Sequence, residues 1–266
     1  MFSRVLLLNP IIQALIAGLF TYSITALGAA LVLFFKKINK TFMDGMLGFS
    51  AGIMIAASFF SLILPAIDMA KELKIIPWII VTIGFVSGGL LLFIGDKVYD
   101  LLEKKLKKEK KKSLKRCTML VTSITLHNIP EGMAVGVAFG SVIYGISGAN
   151  LISAWILALG IGLQNFPEGT AVSMPLRREG FSRRKAFFIG QLSGIVEPIS
   201  SVIGALLVMK IRILLPLLLS FASGAMIYVV VQELIPESQT NEKKNLMAIF
   251  TILGFSIMMI LDITLG

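Results

Sequence analysis

GMLGFSAGIMIAASFFSLILPAI, residues 45–67, runs from Asp44 to Asp68 without one charged side chain. A helix needs roughly 20 apolar residues to cross a hydrocarbon core of about 30 Å, so this stretch is long enough to span a membrane. Comparable runs fill the chain, at 11–35, 44–67, 77–101, 117–143, 149–176, 184–208, 212–235 and 245–265. Composition agrees: 56% of the 266 residues are hydrophobic, 15% are charged, and mean hydropathy is +0.88. A soluble domain is about 25% charged, and here the polar surface cannot coat a water-soluble particle. Such hydrophobicity excludes disorder, and the single Cys117 excludes a disulfide scaffold. A transmembrane barrel would alternate in short segments. The expected fold is an all-α integral membrane protein, one transmembrane domain over residues 1–266 with eight membrane-spanning helices.

The basic residues orient it. Twenty of the 25 fall in alternate connections: Lys36, Lys37 and Lys40; ten between Lys97 and Arg116; Arg177, Arg178, Arg183, Arg184 and Lys185; Lys243 and Lys244. Basic loops stay in the cytoplasm, which puts both termini outside and fits a multi-pass protein of the cell (plasma) membrane. The first run continues to Phe35 and stops at Lys36, so it reads as a retained span rather than a cleaved signal. The tract EKKLKKEKKKSLKR, 103–116, marks a lysine-rich cytoplasmic loop over 102–116. It is suited to anionic lipid headgroups in the bilayer. No aromatic residues interleave it, so nucleic acid is not an expected partner.

An internal repeat runs faintly through the chain. GFSAGIMIAASFFSLILP (48–65) and SFASGAMIYVVVQELIP (220–236) match at Phe49/Phe221, Gly52/Gly224 and Met54/Met226, then at Pro65/Pro236 after one skipped residue. The two runs cross in opposite senses, the mark of an inverted repeat. The expectation is that spans 1–3 and 6–8 repeat around proline-kinked spans 4 and 5.

Those middle spans carry the polar groups. His127-Asn128-Ile129-Pro130-Glu131-Gly132 lies in the fourth and Gln164-Asn165-Phe166-Pro167-Glu168-Gly169 in the fifth. Residues four apart share a helix face, so His127 stacks with Glu131 and Gln164 with Glu168. Each proline lacks an N–H and frees a carbonyl one turn earlier, at Leu126 and Leu163. Broken backbone inside a bilayer is tolerated only where it is buried in protein or lines a cavity. The sixth span adds Gln191 and Glu197-Pro198. Three buried carboxylates, Glu131, Glu168 and Glu197, cannot all ionise in a dry site unless a cation joins them, so they either take protons or hold metal. Oxygen donors with one imidazole suit Zn²⁺ or Fe²⁺. The bland alternative is interhelical hydrogen bonding, which does not require three carboxylates at prolines.

HNIPEG, QNFPEG and, in the sixth span, GQLSGIVEP resemble the signature of the ZIP (Zrt/Irt-like) family of divalent metal transporters, bacterial type. The resemblance implies eight spans and uptake of metal into the cytoplasm through a binuclear site at the midplane. His127, Glu131, Gln164 and Glu168 would hold the transported ion beside Met54. Asn128, Glu131, Asn165, Glu168 and Glu197 would hold a second. Ser61, Asp68 and Asp262 would line the entrance, and Gln232, Glu233 and Glu237 the exit. Read alone, Met54 is an ordinary core residue, and Asp68 and Glu237 are equally helix-end charges. Zn²⁺ is the implied cargo, with Fe²⁺, Mn²⁺ and Cd²⁺ also compatible. No organic cofactor is expected, and a homodimer is compatible with the resemblance. The sequence departs from the family in carrying lysines where many members have histidines after span 3, and Asn165 where several bacterial members carry aspartate.

No GxxxxGK[ST] motif is present, so transport follows gradients. The rival reading is an intramembrane metallohydrolase using Glu131 or Glu168 as general base, but HExxH is absent and the expected answer is not an enzyme. A proton-coupled organic-solute carrier is the second rival.

Overall fold

The computed structural model describes residues 8–34, 39–105, 112–144 and 150–265. No strand occurs among them. The helices are α1 (Pro10–Phe34), α2 (Lys40–Ala57), α3 (Leu64–Glu72), α4 (Pro77–Lys105), α5 (Lys112–Ser141), α6 (Leu151–Arg178), α7 (Arg183–Ser193), α8 (Val196–Lys210), α9 (Leu215–Val229), α10 (Ile235–Ser238) and α11 (Lys244–Leu265). Among the described residues, six helical rods are long and apolar enough to cross a membrane: α1, α2–α3, α4, α7–α8, α9–α10 and α11. The protein is a multi-pass membrane protein. The two remaining helices, α5 and α6, are 30 and 28 residues long and carry the polar motifs.

Two expectations need correction. The lysine-rich tract is not all loop: α4 continues to Lys105 and α5 begins at Lys112, with 106–111 outside the described residues. Lys, Leu and Glu are good helix formers, and no Gly or Pro stops either helix there. Nor do the motif prolines break their helices. α5 passes through Pro130, and α6 through Pro167 and Pro175, as continuous helix. A proline deletes one hydrogen bond, and the packed neighbours hold the rest of the rod together.

The irregularities fall elsewhere. Between α2 and α3 the chain makes a π turn, Ser58–Ile63, in which the Leu64 N–H reaches Phe59 O, five residues back. Between α9 and α10 it makes another, Val230–Leu234, closed from Ile235 N to Val230 O. Each lies directly before a proline at the start of the resumed helix, Pro65 and Pro236. Widening the turn by one residue accommodates a ring that cannot donate. The third irregularity is the turn at Gly194–Ile195, which separates α7 from α8 and starts α8 just ahead of Glu197-Pro198.

Packing sorts the rods into two groups of four. α1, α5, α6 and α7–α8 pack mainly among themselves, with α1 on α6 and α5 on α8 the most extensive pairs. α2–α3, α4, α9–α10 and α11 form the other group, with α2 on α11 and α4 on α9. The groups meet along a seam where α2 lies on α6 and α9 on α5. Close approach within the second group depends on glycine. A Cβ on Gly52 would strike the Thr251 carbonyl, and one on Gly224 the Phe85 carbonyl. Gly254 and Gly88 return these contacts onto Phe49 and Phe221.

A cavity of about 340 Å³ opens where α3, the last turns of α5, the first turns of α6 and α9, and the end of α11 converge. These ends lie opposite the lysine-rich connection.

Candidate metal centre

Five polar residues of the motifs meet in the first group, all essentially inaccessible: Asn128 and Glu131 from α5, Gln164, Asn165 and Glu168 from α6. Glu197 joins them from the first turn of α8, equally buried. A carboxylate there sits at a helix N-terminus, where the peptide dipoles favour negative charge. The three glutamates lie within electrostatic reach of one another. His127 stands on α5 one turn before Glu131, and its side chain lies outside the described residues. Among the described residues, no three His, Cys, Asp or Glu side chains close into a metal-ready group by themselves. Amides and hydroxyls are interposed.

The interposed groups follow a pattern. Gln164 Nε2 donates to Glu131 Oε1 in a very short contact. Asn165 Nδ2 donates to Glu197 Oε2 at 2.7 Å. Asn128 Nδ2 donates to the Ser193 carbonyl at 3.0 Å, a group left over where α7 ends. Each amide spends its N–H on a neighbour and leaves its oxygen without a hydrogen bond: Asn128 Oδ1, Gln164 Oε1 and Asn165 Oδ1 are all buried and unpartnered, as is Glu131 Oε2. Buried oxygens are rarely left so, because each loses its water without replacement. Four in one cluster leave a set of open acceptors, which a cation can satisfy.

Hydroxyls that sequence reading passed over support the carboxylates. Thr25 Oγ1 of α1 donates to Glu197 Oε1 at 3.1 Å. Ser50 Oγ of α2 donates to Glu168 Oε1 at 3.1 Å and lies 3.4 Å from the Gln164 carbonyl. Isolated Ser and Thr in an apolar helix usually bond back to their own backbone, so neither carried a signal. One clue existed: Ser50 is one turn before Met54 and so on the same face of α2. Met54 itself is fully buried.

The expected entrance residues divide. Ser61, within the first π turn, donates to Asp262 of α11 at 2.7 Å, and both line the cavity. Asp68 is instead exposed and paired with Lys71 at 2.8 Å, and is not among the lining residues. Of the expected exit residues, Gln232 and Glu233 lie in the second π turn, Gln232 exposed and Glu233 half-buried, and Glu237 is half-buried in α10. Tyr228, one turn earlier, donates to Asp96 of α4 at 2.8 Å, a pair the sequence did not suggest.

Comparison with known proteins bears on this arrangement. Residues 103–262 match the family described as ZIP Zinc transporter. "Zinc transporter ZIP11" of Homo sapiens is 36% identical, with 97% of this chain and 98% of that protein covered. "Zinc transporter ZIPB" of Bordetella bronchiseptica is 35% identical, with 95% and 81% covered. "Zinc transporter ZupT" of Streptococcus mutans is 33% identical, with 88% and 90% covered. These relatives are named as transporters and not as enzymes, and nothing favours the intramembrane hydrolase. By family match and by relatives covering nearly its full length, the chain belongs to the ZIP zinc transporter family.

Proposed function

We propose that this protein carries divalent metal, zinc first, down its gradient into the cytoplasm through a two-ion centre near the membrane midplane. The observation that carries this reading is the set of three unpartnered amide oxygens beside three buried glutamates, one of which, Glu131, has an unpartnered oxygen of its own. His127, Glu131, Gln164 and Glu168 hold the transported ion, with Met54 at its side. Asn128, Glu131, Asn165, Glu168 and Glu197 hold the second, so that Glu131 and Glu168 bridge both. Metal entering at Ser61 and Asp262 passes this centre and leaves by Gln232, Glu233 and Glu237. Asp68 contributes at the mouth only after giving up Lys71.

All eight rods cross the bilayer, with both termini outside and the lysine-rich connection in the cytoplasm of a cell whose plasma membrane holds the protein. An inverted repeat of the first and last three spans is supported by the paired π turns, each at a proline, and by the reciprocal glycine contacts of Gly52 and Gly224. The two four-helix groups supply the moving parts: the group containing the ligands shifts against the other and exposes the centre to each side in turn. The test is zinc entry into proteoliposomes containing the purified full-length chain. Saturable uptake down a zinc gradient is expected, and vesicles no more permeable than protein-free ones would overturn the reading.

A further inference from the structure

The hydroxyl of Ser50 occupies a mechanically unusual place. Its helix, α2, is fixed to α11 by backbone contact at Gly52 and Gly254. Glu168 stands on α6, fixed to α1 by a similarly close approach of Gly169 to the Thr25 carbonyl. The two residues therefore ride on different four-helix groups, and their 3.1 Å hydrogen bond crosses the seam. Ser50 is fully buried, so no water competes for its proton. By contrast, Gln164 and Asn165 hold Glu131 and Glu197 from within the first group, and those bonds are indifferent to sliding between groups.

We propose that Ser50 is a positioning residue that clasps the empty centre: its hydroxyl ties Glu168 to the opposite helix group until metal weakens the tie. The proposal rests on the transport reading above. In the empty centre the Ser50 hydroxyl bonds a Glu168 oxygen that no cation shares. Once Glu168 coordinates a cation, the metal draws electron density from the carboxyl group and the Ser50 bond loses strength. The groups then slide more readily loaded than empty, so return of the unloaded carrier is the slower step and movement favours the loaded form.

Zinc flux in proteoliposomes holding the full chain tests this in two modes. Net uptake into zinc-free vesicles requires the empty carrier to return, whereas exchange of labelled zinc against internal zinc does not. In the unaltered protein, exchange is faster than net uptake. Ser50→Ala raises net uptake relative to exchange by about tenfold, the worth of one typical hydrogen bond. Ser50→Thr keeps the hydroxyl and returns the ratio to that of the parent; should it fail to insert, the Ser50→Ala ratio decides alone. An unchanged ratio in Ser50→Ala, or both fluxes falling in proportion, overturns the clasp and leaves Ser50 as a packing residue. Exchange no faster than net uptake in the unaltered protein overturns it too. Absence of flux from the unaltered protein in both modes fails differently, because it removes the transport reading itself.

Discussion

Glu131 and Glu168 occupy the same position in near-identical motifs, HNIPEG and QNFPEG, and both are wholly buried. Their attachments differ. Glu131 is held by Gln164, a neighbour in its own helix group. Glu168 is held by Ser50, a residue of the opposing group. Matching sequence therefore provides two matching buried carboxyl groups, while the surrounding fold ties one of them across the seam and the other within its own group. In the proposed centre, ligand strength and movement between the groups are separable properties.

The largest effect expected removes what the two glutamates share. Glu131→Ala and Glu168→Ala each abolish zinc uptake while the protein still inserts, because a bridge between two ions has no substitute among the neighbours. Normal uptake by either variant would remove the bridging role.

Next comes the difference between them. Gln164→Ala frees Glu131 from its support without touching the seam. Zinc affinity falls by about ten- to a hundredfold, the usual cost of losing a ligand or the partner that orients one, and the ratio of exchange to net uptake stays at its parental value. Equilibrium binding and the two flux modes, measured on one preparation, check both halves.

A smaller and opposite effect belongs to the Asn165–Glu197 pair. Asn165→Asp adds a charged oxygen donor where a neutral amide now stands, so metal binds more tightly while maximal flux does not rise. Unchanged affinity would mark Asn165 as interhelical support for Glu197 rather than a ligand. Acid works the other way on the whole centre. Metal needs carboxylates ionised and imidazole neutral, so binding releases protons and weakens as pH falls. Calorimetry in buffers of different ionisation enthalpy reads the proton count, and binding without proton release at mildly acidic pH would contradict the ligand set.

Least affected is transport in a protein whose residues 107–112 are replaced by a Ser/Gly linker. Basic residues remain in the three other alternate connections, so orientation and uptake are expected to persist. Loss of uptake with orientation intact would assign the tract a direct role.

How far the sequence could be read follows from what each feature needs. Uncharged runs pointed to six helices that are long and apolar enough to cross a membrane, because hydrocarbon penalises every exposed polar group, whatever the tertiary fold. The paired motifs pointed to a candidate centre because three carboxylates inside apolar spans have few inexpensive explanations, and their described polar residues do meet around Glu197. The prolines did not show which helices are interrupted. Pro130 and Pro167 stay inside continuous helix, whereas Pro65 and Pro236 follow π turns, and nothing local distinguishes the two cases. Tertiary packing decides which rod yields. Ser50 and Thr25 were invisible for a related reason: a hydroxyl in an apolar helix looks the same whether it bonds its own carbonyl or a carboxylate from a helix more than a hundred positions away. Asp68 was legible equally as an entrance residue and as a helix-end charge, and it is exposed and paired with Lys71 one turn on.

The most direct measurement on the central claim is the equilibrium stoichiometry of zinc on the purified protein. A centre bridged by Glu131 and Glu168 holds two ions per chain. Glu197→Gln weakens the second and leaves one tightly bound, while Glu131→Ala loses both together. Two tightly bound ions in Glu131→Ala, or a stoichiometry that Glu197→Gln does not alter, would contradict it.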